Sequence, residues 1–364
     1  MSKTSLLDSR QAIAGLDKSD MLGSIEELGK QIEHAWKDTR GLEMHSHAEI
    51  ENVVVAGMGG SGLGADVIKT LFKEELTVPL DYVHDYTLPN YVNQNTLVIL
   101  ASYSGGTEEI LACAEDARAR TAQIAVICAG GELEKQARKY QYPAYVIDAK
   151  YNPSNQPRMA IGYAVFGTIA LLQKAGLISL GDEQVAAVVE TINQQVKAST
   201  VEMPQAENPA KALAYTMIDR RPVIVAAEFL EGAAHVAANQ HNENAKAYVD
   251  YKVVPEINHH LMEGLKYPTS NASTHVFLFV QSQLYRVENS IRMQLTEKVV
   301  EENDIDTLII PLRSTSKIEQ VFEMITLFSF AGFYLAMLEG IDPSPIPFVD
   351  AFKDKLKQKH SELS

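Results

Sequence analysis

The sequence predicts an α/β protein built of two doubly wound parallel-sheet domains, with helical additions at both ends. The chain has 364 residues, too many for one small core and enough for two. Between Glu51 and Asp148, short β-rich apolar runs alternate with helical stretches, the rhythm of a parallel sheet wrapped by helices. A second series of the same kind begins at Pro222. The expected divisions are a helical segment over 1–46, a first domain over 47–155, a helical linker over 156–210, a second domain over 211–335 and a closing helix over 336–364.

Each element has its own signal. Met21, Ile25, Leu28, Ile32 and Trp36 recur at spacings of three and four, which predicts an amphipathic helix laid on a larger body. Five strands of the first domain are expected at Val53–Ala56, Leu80–Val83, Thr96–Leu100, Ile124–Ile127 and Ala144–Ile147. Met159–Gly176 and Asp182–Ser199 read as helices, and the Pro and Asn content of Met203–Pro209 reads as a connection. Strands of the second domain are expected at Pro222–Ala226, His275–Val280 and Thr307–Ile310. The proline cluster Asp342–Pro347 re-aims the chain into the last helix. The two halves share a pattern, but their sequence identity is too weak to define a repeat.

Composition excludes several function classes. Apolar residues make up 46% and charged residues 22%, the balance of an ordinary globular protein and not of a disordered or fibrous one. The formal charge of −15 gives a field that repels nucleic acid and anionic membranes, so neither is an expected partner. An anionic ligand would need a local site that outweighs this field. Cys113 and Cys128 lie in apolar contexts and are expected as buried reduced thiols, without a disulfide framework or a Cys-ligated metal. The first nine residues lack a leader's apolar run, no segment is expected to reach the length of a membrane span, and a reducing cytoplasm is the expected location.

Such a local site is offered by the first strand, which runs directly into Gly57-Met58-Gly59-Gly60-Ser61-Gly62-Leu63-Gly64 and then a helix. Glycines let backbone N–H groups turn toward a ligand, and the helix start adds partial positive charge. Read alone, Gly57, Gly59 and Gly62 also match a dinucleotide fingerprint, with Asp81 imitating its ribose-binding acid. A tight strand-to-helix turn without ligand fits the glycines as well. A second loop, Ser102-Tyr103-Ser104-Gly105-Gly106-Thr107, follows the Thr96 strand and brings several hydroxyl donors to another strand-to-helix junction. A compact monophosphate uses that second loop and a dinucleotide does not need it. Helix capping alone would account for one of these hydroxyls more readily than for three.

These two loops resemble those of the sugar isomerase (SIS) domain family. The fuller likeness, from about Gly57 to Lys353, is to bifunctional phosphoglucose/phosphomannose isomerases. The resemblance makes both α/β units SIS domains. It implies that Gly59, Gly60, Ser61, Ser102, Ser104 and Thr107 hold the phosphate of a hexose 6-phosphate. The family often has Asn where Gly106 stands here. The implied reaction moves a proton between C1 and C2 through a cis-enediolate. It needs a carboxylate base and a fixed cation beside the oxygens, with a further group to open the sugar ring and neither metal nor cofactor.

Candidates for each role are present. Asn155-Gln156-Pro157-Arg158 resembles the family's Pro-Arg signature, which implies that Arg158 stabilises the enediolate; a lone Arg is otherwise usually a solvated helix-end charge. Asn242-Glu243-Asn244 resembles the family's Asn-Glu-Asn motif and implies that Glu243 is the base, although an Asn-flanked Glu by itself is more often a surface acid. Pro255-Glu256-Ile257-Asn258-His259 resembles the segment whose His promotes ring opening, which gives His259 that role. Adjacent side chains such as His259 and His260 diverge, and no third ligand sits at zinc-like spacing, so a metal is not expected. Lys353 resembles a lysine at the site's mouth that assists ring opening. The likeness further implies a homodimer in which His259 reaches the partner's site. A non-catalytic sugar-phosphate sensor on the same fold is the competing reading, and a nicotinamide dehydrogenase rests only on the glycine loop.

Overall fold

The computed structural model describes residues 6–44 and 48–363. The boundary expected at 46, and residues 1–5 of the stretch read for a leader, lie outside the described residues.

The first sheet contains β1 (Asn52–Gly57), β2 (Leu80–Val83), β3 (Thr96–Ser102), β4 (Gln123–Cys128) and β5 (Ala144–Val146), all parallel, in the order β2-β1-β3-β4-β5. Each is an expected run. Along β3 every residue is buried, as in a sheet covered on both faces. The second sheet contains β6 (Arg221–Ala227), β7 (Asp250–Val254), β8 (His275–Gln281) and β9 (Asp306–Pro311), again parallel, in the order β7-β6-β8-β9. Sequence patterning misses β7, an edge strand whose Asp250 and Lys252 interrupt its apolar character.

The two orders coincide over four strands, so the halves repeat in structure what their sequences do not show. In each sheet the order reverses between the first and third strands, which opens a crevice at their carboxyl ends.

The amphipathic stretch near the start is two helices, α1 (Met21–Glu26) and α2 (Leu28–Asp38). Glu27 leaves the helical region between them (φ −89°, ψ 5°), and Met21, Ile25, Leu28 and Ile32 are all buried. The helices that follow include α3 (Gly59–Leu71), α4 (Glu108–Ala119), α5 (Ile161–Lys174), α6 (Asp182–Ser199), α7 (Pro209–Met217), α8 (Glu231–Gln240), α9 (Val287–Glu301), α10 (Lys317–Leu338) and α11 (Pro347–Leu363). Within the stretch expected as a linker, α5 is buried through twelve successive residues and packs on α2 and α3.

Helices α3 and α8 each follow the first strand of their sheet, and they pack directly on one another. Gly232 makes the approach possible, because a Cβ there would lie 2.5 Å from the Val67 Cα. Beside that contact His235 Nδ1 bonds Asp66 Oδ2 at 2.8 Å.

Helix α10 corrects an expectation. It is 22 residues long with a mean hydropathy of 1.8, and among the described residues it is the one helix long and apolar enough to cross a membrane. Its apolar window is 94% buried inside the protein, where it packs against α6, α7 and α8. A helix that is apolar all round meets this requirement by sitting at the centre of a large core.

Candidate active site

The glycine-rich and hydroxyl-rich loops are neighbours because β1 and β3 pair in register, with Gly57 opposite Ala101. Helix α3 starts at Gly59 with no side-chain cap, so N–H groups of its first turn face outward at the end of β1. Helix α4 starts at Glu108. Its N-cap, Thr107, also makes no side-chain cap bond; the hydroxyl meets Ser102 Oγ at 2.8 Å instead. Capping therefore does not account for Thr107. Ser61 Oγ accepts the Tyr103 N–H at 2.8 Å and ties the two loops together. Ser104 is exposed, and its Oγ accepts the Gly106 N–H at 3.3 Å. Asp81 does not lie at a strand's carboxyl end. It is the second residue of β2, opposite Val54, and it accepts a hydrogen bond from Tyr91.

These loops abut the turn that carries Arg158. At Gly60 a Cβ would stand 2.6 Å from the Arg158 backbone N, so glycine is what lets loop and turn touch. A cavity between them is lined by Ser61, Ser102, Tyr103, Pro157, Ala160 and Ala164, among others.

Arg158 is not a solvated charge. It lies in the 3₁₀ turn Pro157–Met159 and is 1% exposed. Its five N–H donors meet five acceptors. Nε donates to Asn244 Oδ1, Nη1 to Gln156 Oε1 at 2.9 Å and to Glu243 Oε2 at 3.2 Å, and Nη2 to the carbonyls of Pro343 at 3.0 Å and Ser344 at 2.8 Å. Burial pulls its pKa below the ordinary guanidinium value, while Glu243 pulls the other way. Three of the bonds go to buried or backbone acceptors on Nε and Nη2. Nη1 alone faces partly exposed partners, so it is the edge a ligand can compete for.

Glu243 lies in a π-helical turn, His241–Ala245, that continues α8. Its side chain is 31% exposed and paired with Arg158, 85 positions away in the chain. The flanking asparagines hold the turn. Asn242 Nδ2 donates to the Ala238 and Val249 carbonyls at 2.9 Å, and its Oδ1 accepts the Val249 N–H at 3.2 Å. Asn244 receives Arg158 Nε. A carboxylate from the second α/β unit thus meets a fixed cation on the turn that follows the first, and the backbone of that turn abuts the N–H and hydroxyl cradle. Such an arrangement can bind a phosphorylated anion and move a proton next to a developing oxyanion.

His259 and Lys353 stand apart from this group. His259 ends the 3₁₀ turn Glu256–His259 and is exposed, and Lys353 is exposed on α11. Among the described residues no hydrogen bond or ion pair joins either to Arg158 or Glu243. Nor is there a group of three or more His, Cys, Asp or Glu side chains placed to hold a metal ion. Sequence reasoning missed Asn244 as a ligand of Arg158, the Pro343 and Ser344 carbonyls, and Lys246. The Lys lies two positions past the Asn-Glu-Asn motif, and the proline cluster signalled a fixed turn without showing where its carbonyls point.

Two paired α/β units with this cradle define a SIS-domain protein, and comparison with known proteins agrees. Residues 48–153 match the SIS domain model, and residues 206–356 match the model described as the bacterial phospho-glucose isomerase C-terminal SIS domain. A bifunctional phosphoglucose/phosphomannose isomerase from Caldicellulosiruptor bescii is 30% identical over 349 residues, covering 93% of this chain and 99% of that protein. One of the same description from Aquifex aeolicus is 26% identical, covering 85% and 92%. Among solved structures, a hypothetical protein from Thermus thermophilus shares the fold, with a TM-score of 0.71 at 16% identity over 93% of this chain and 90% of that one. The chain belongs to the family of bifunctional phosphoglucose/phosphomannose isomerases.

Proposed function

We propose that this enzyme interconverts glucose 6-phosphate and fructose 6-phosphate, and mannose 6-phosphate and fructose 6-phosphate, by proton transfer through a cis-enediolate. The observation that carries the reading is the contact of buried Arg158 with Glu243 at 3.2 Å, beside the two loops. The phosphate sits on Gly59, Gly60, Ser61, Ser102, Ser104 and Thr107. Glu243 takes the proton from one carbon and returns it to the other, and Arg158 Nη1 holds the oxygen on which negative charge grows. A sugar-phosphate sensor needs the cradle but has no use for this carboxylate–guanidinium pair, so catalysis is the favoured reading. The buried free thiols Cys113 and Cys128 support a reducing compartment, the cytoplasm.

Purified protein is expected to interconvert all three hexose 6-phosphates in EDTA and without added NAD, because carboxylate, guanidinium and imidazole suffice for the chemistry. Absence of turnover on each of them would overturn the assignment. Activity that vanishes in EDTA and returns with zinc or manganese would replace it with a metal-assisted isomerase.

The working form in this proposal is a homodimer in which His259 opens the sugar ring in the partner's site, with Lys353 assisting at the mouth. Its support is the surface around His259. The neighbouring Asn258 is bonded to Thr296 of α9 at 2.6 Å, and α9 turns an apolar stripe outward: Val287 is 66% exposed, Ile291 51% and Leu295 55%. Such a stripe beside an exposed histidine suits a two-fold interface. Co-refolding Glu243→Gln chains with His259→Ala chains is expected to restore about a quarter of wild-type activity. About half the dimers are mixed, and one of the two sites in each is intact. Mixed dimers no more active than the average of the parents would place His259 in its own chain's site.

A further inference from the structure

Building on the isomerase reading, we propose that Lys246 is a positioning residue for the reaction: its ammonium joins the Glu243 turn to the Pro343 segment and so keeps Glu243 and Arg158 Nη1 facing each other. Lys246 closes the π-helical turn in the left-handed region, at φ 53°. From there Nζ folds back to donate to the Glu243 carbonyl at 2.6 Å, with the Asn244 carbonyl at 3.5 Å, and reaches across to the Pro343 carbonyl at 2.9 Å. The Pro343 oxygen is the one that also receives Arg158 Nη2 at 3.0 Å. Two cations from distant parts of the chain therefore share a single backbone acceptor. The segment they share leads into α11, which carries Lys353.

That geometry gives Lys246 a defined job. Arg158 is fixed on one side by Asn244 and on the other by the Pro343 and Ser344 carbonyls. Lys246 is the side chain of the Glu243 turn that bonds the Pro343 segment directly. Without the ammonium, the Glu243 turn is held to Arg158 through Asn244 and Glu243 alone, with no bond of its own to the Pro343 segment, and the carboxylate-to-guanidinium distance is no longer set from both sides. Misplacement of reacting groups by about 1 Å costs on the order of a hundredfold in rate.

The charges facing Lys246 are Arg158 from the 157–159 turn, Asp342 from the segment before α11, and Glu243 from its own turn. Burial is the largest influence on it, followed by Arg158. Together they push its pKa from the ordinary lysine value down to about 8, against the opposing pull of Asp342 and Glu243. The ammonium is thus present below about pH 8 and is lost as pH rises through that value, which weakens its charge-assisted bonds to the carbonyls.

Two variants test this. Lys246→Met keeps the stem and removes the charge; Lys246→Arg keeps a charge that does not titrate. Lys246→Met is expected to lower kcat about tenfold to a hundredfold with KM within about twofold. Lys246→Arg is expected to retain kcat within about threefold and to move the alkaline limb of the kcat profile, expected near pH 8 in the wild type, upward by a unit or more. A Lys246→Met enzyme with kcat within about twofold of wild type overturns the proposal. So does an alkaline limb that stays in place in Lys246→Arg, a result that decides the matter even where Lys246→Met does not fold. Both of these leave the isomerase reading standing. A wild-type protein without turnover on any hexose 6-phosphate overturns both.

Discussion

Glu243→Gln is expected to lower kcat by about a thousandfold while leaving the affinity for a hexose 6-phosphate almost unchanged, since general base catalysis contributes on the order of 10²–10⁴. The amide is isosteric with the carboxylate, and its carbonyl oxygen can still accept from Arg158 Nη1, so the 3.2 Å contact survives in weaker form. What is lost is the capacity to hold a proton between the two transfer steps. Because the loops proposed to hold the phosphate belong to the other α/β unit and are tied to each other by Ser61 and Tyr103, ligand affinity is expected to survive loss of the carboxylate. The check is kcat and KM for fructose 6-phosphate together with a direct binding measurement. A variant that keeps a tenth or more of wild-type turnover would remove Glu243 from the mechanism.

Arg158→Ala is expected to act on rate and on stability at once. Loss of one donor to a developing oxyanion costs about 10²–10³ in kcat. The same change strands Asn244 Oδ1 and the Ser344 carbonyl in the interior and leaves the Pro343 carbonyl to Lys246 alone. Together these are expected to lower unfolding stability by about 2–4 kcal/mol. Arg158→Lys is expected to recover little of either loss, since an ammonium has three donors at one point and the site asks for five in a planar fork. Chemical denaturation and steady-state kinetics on the same preparations separate the effects. Equal stability in wild type and Arg158→Ala would contradict the bonding described for the guanidinium.

Much of the fold was legible because local pattern and global fold agree. The five strands of the first sheet are bounded apolar runs followed by glycines, hydroxyls or helical periodicity, and each is where its run lies. Agreement failed at three places, one of them the amphipathic stretch near the start, which reads as one helix and is two. Strand β7 pairs with β6 alone at the sheet edge and keeps Asp250 and Lys252, so it has no continuous apolar signature. Helix α10 is buried on every side and so has no polar face to reveal a period. The site was legible as short motifs, and the hydroxyl pair Ser102 and Thr107 shows why: the two lie five positions apart in a single strand-to-helix loop, so their contact is local. The Arg158–Glu243 contact is not local. It joins positions 85 residues apart through the packing of two units, and no spacing in the chain encodes it.

The five-way pairing of Arg158 also imposes an order of events on synthesis. The last sheet strand ends at Pro311, and Arg158 finds its final two acceptors at Pro343 and Ser344. A ribosome adding about 5–20 residues per second takes roughly two to six seconds to cross that interval. Throughout it, a nascent chain contains every residue of both sheets and still lacks the segment that answers two of the guanidinium's donors. The bonding of Arg158 is therefore completed only after both sheets and α10 have been synthesised. A transcript cut short just before Pro343 would yield a protein with a complete scaffold and an unfinished centre.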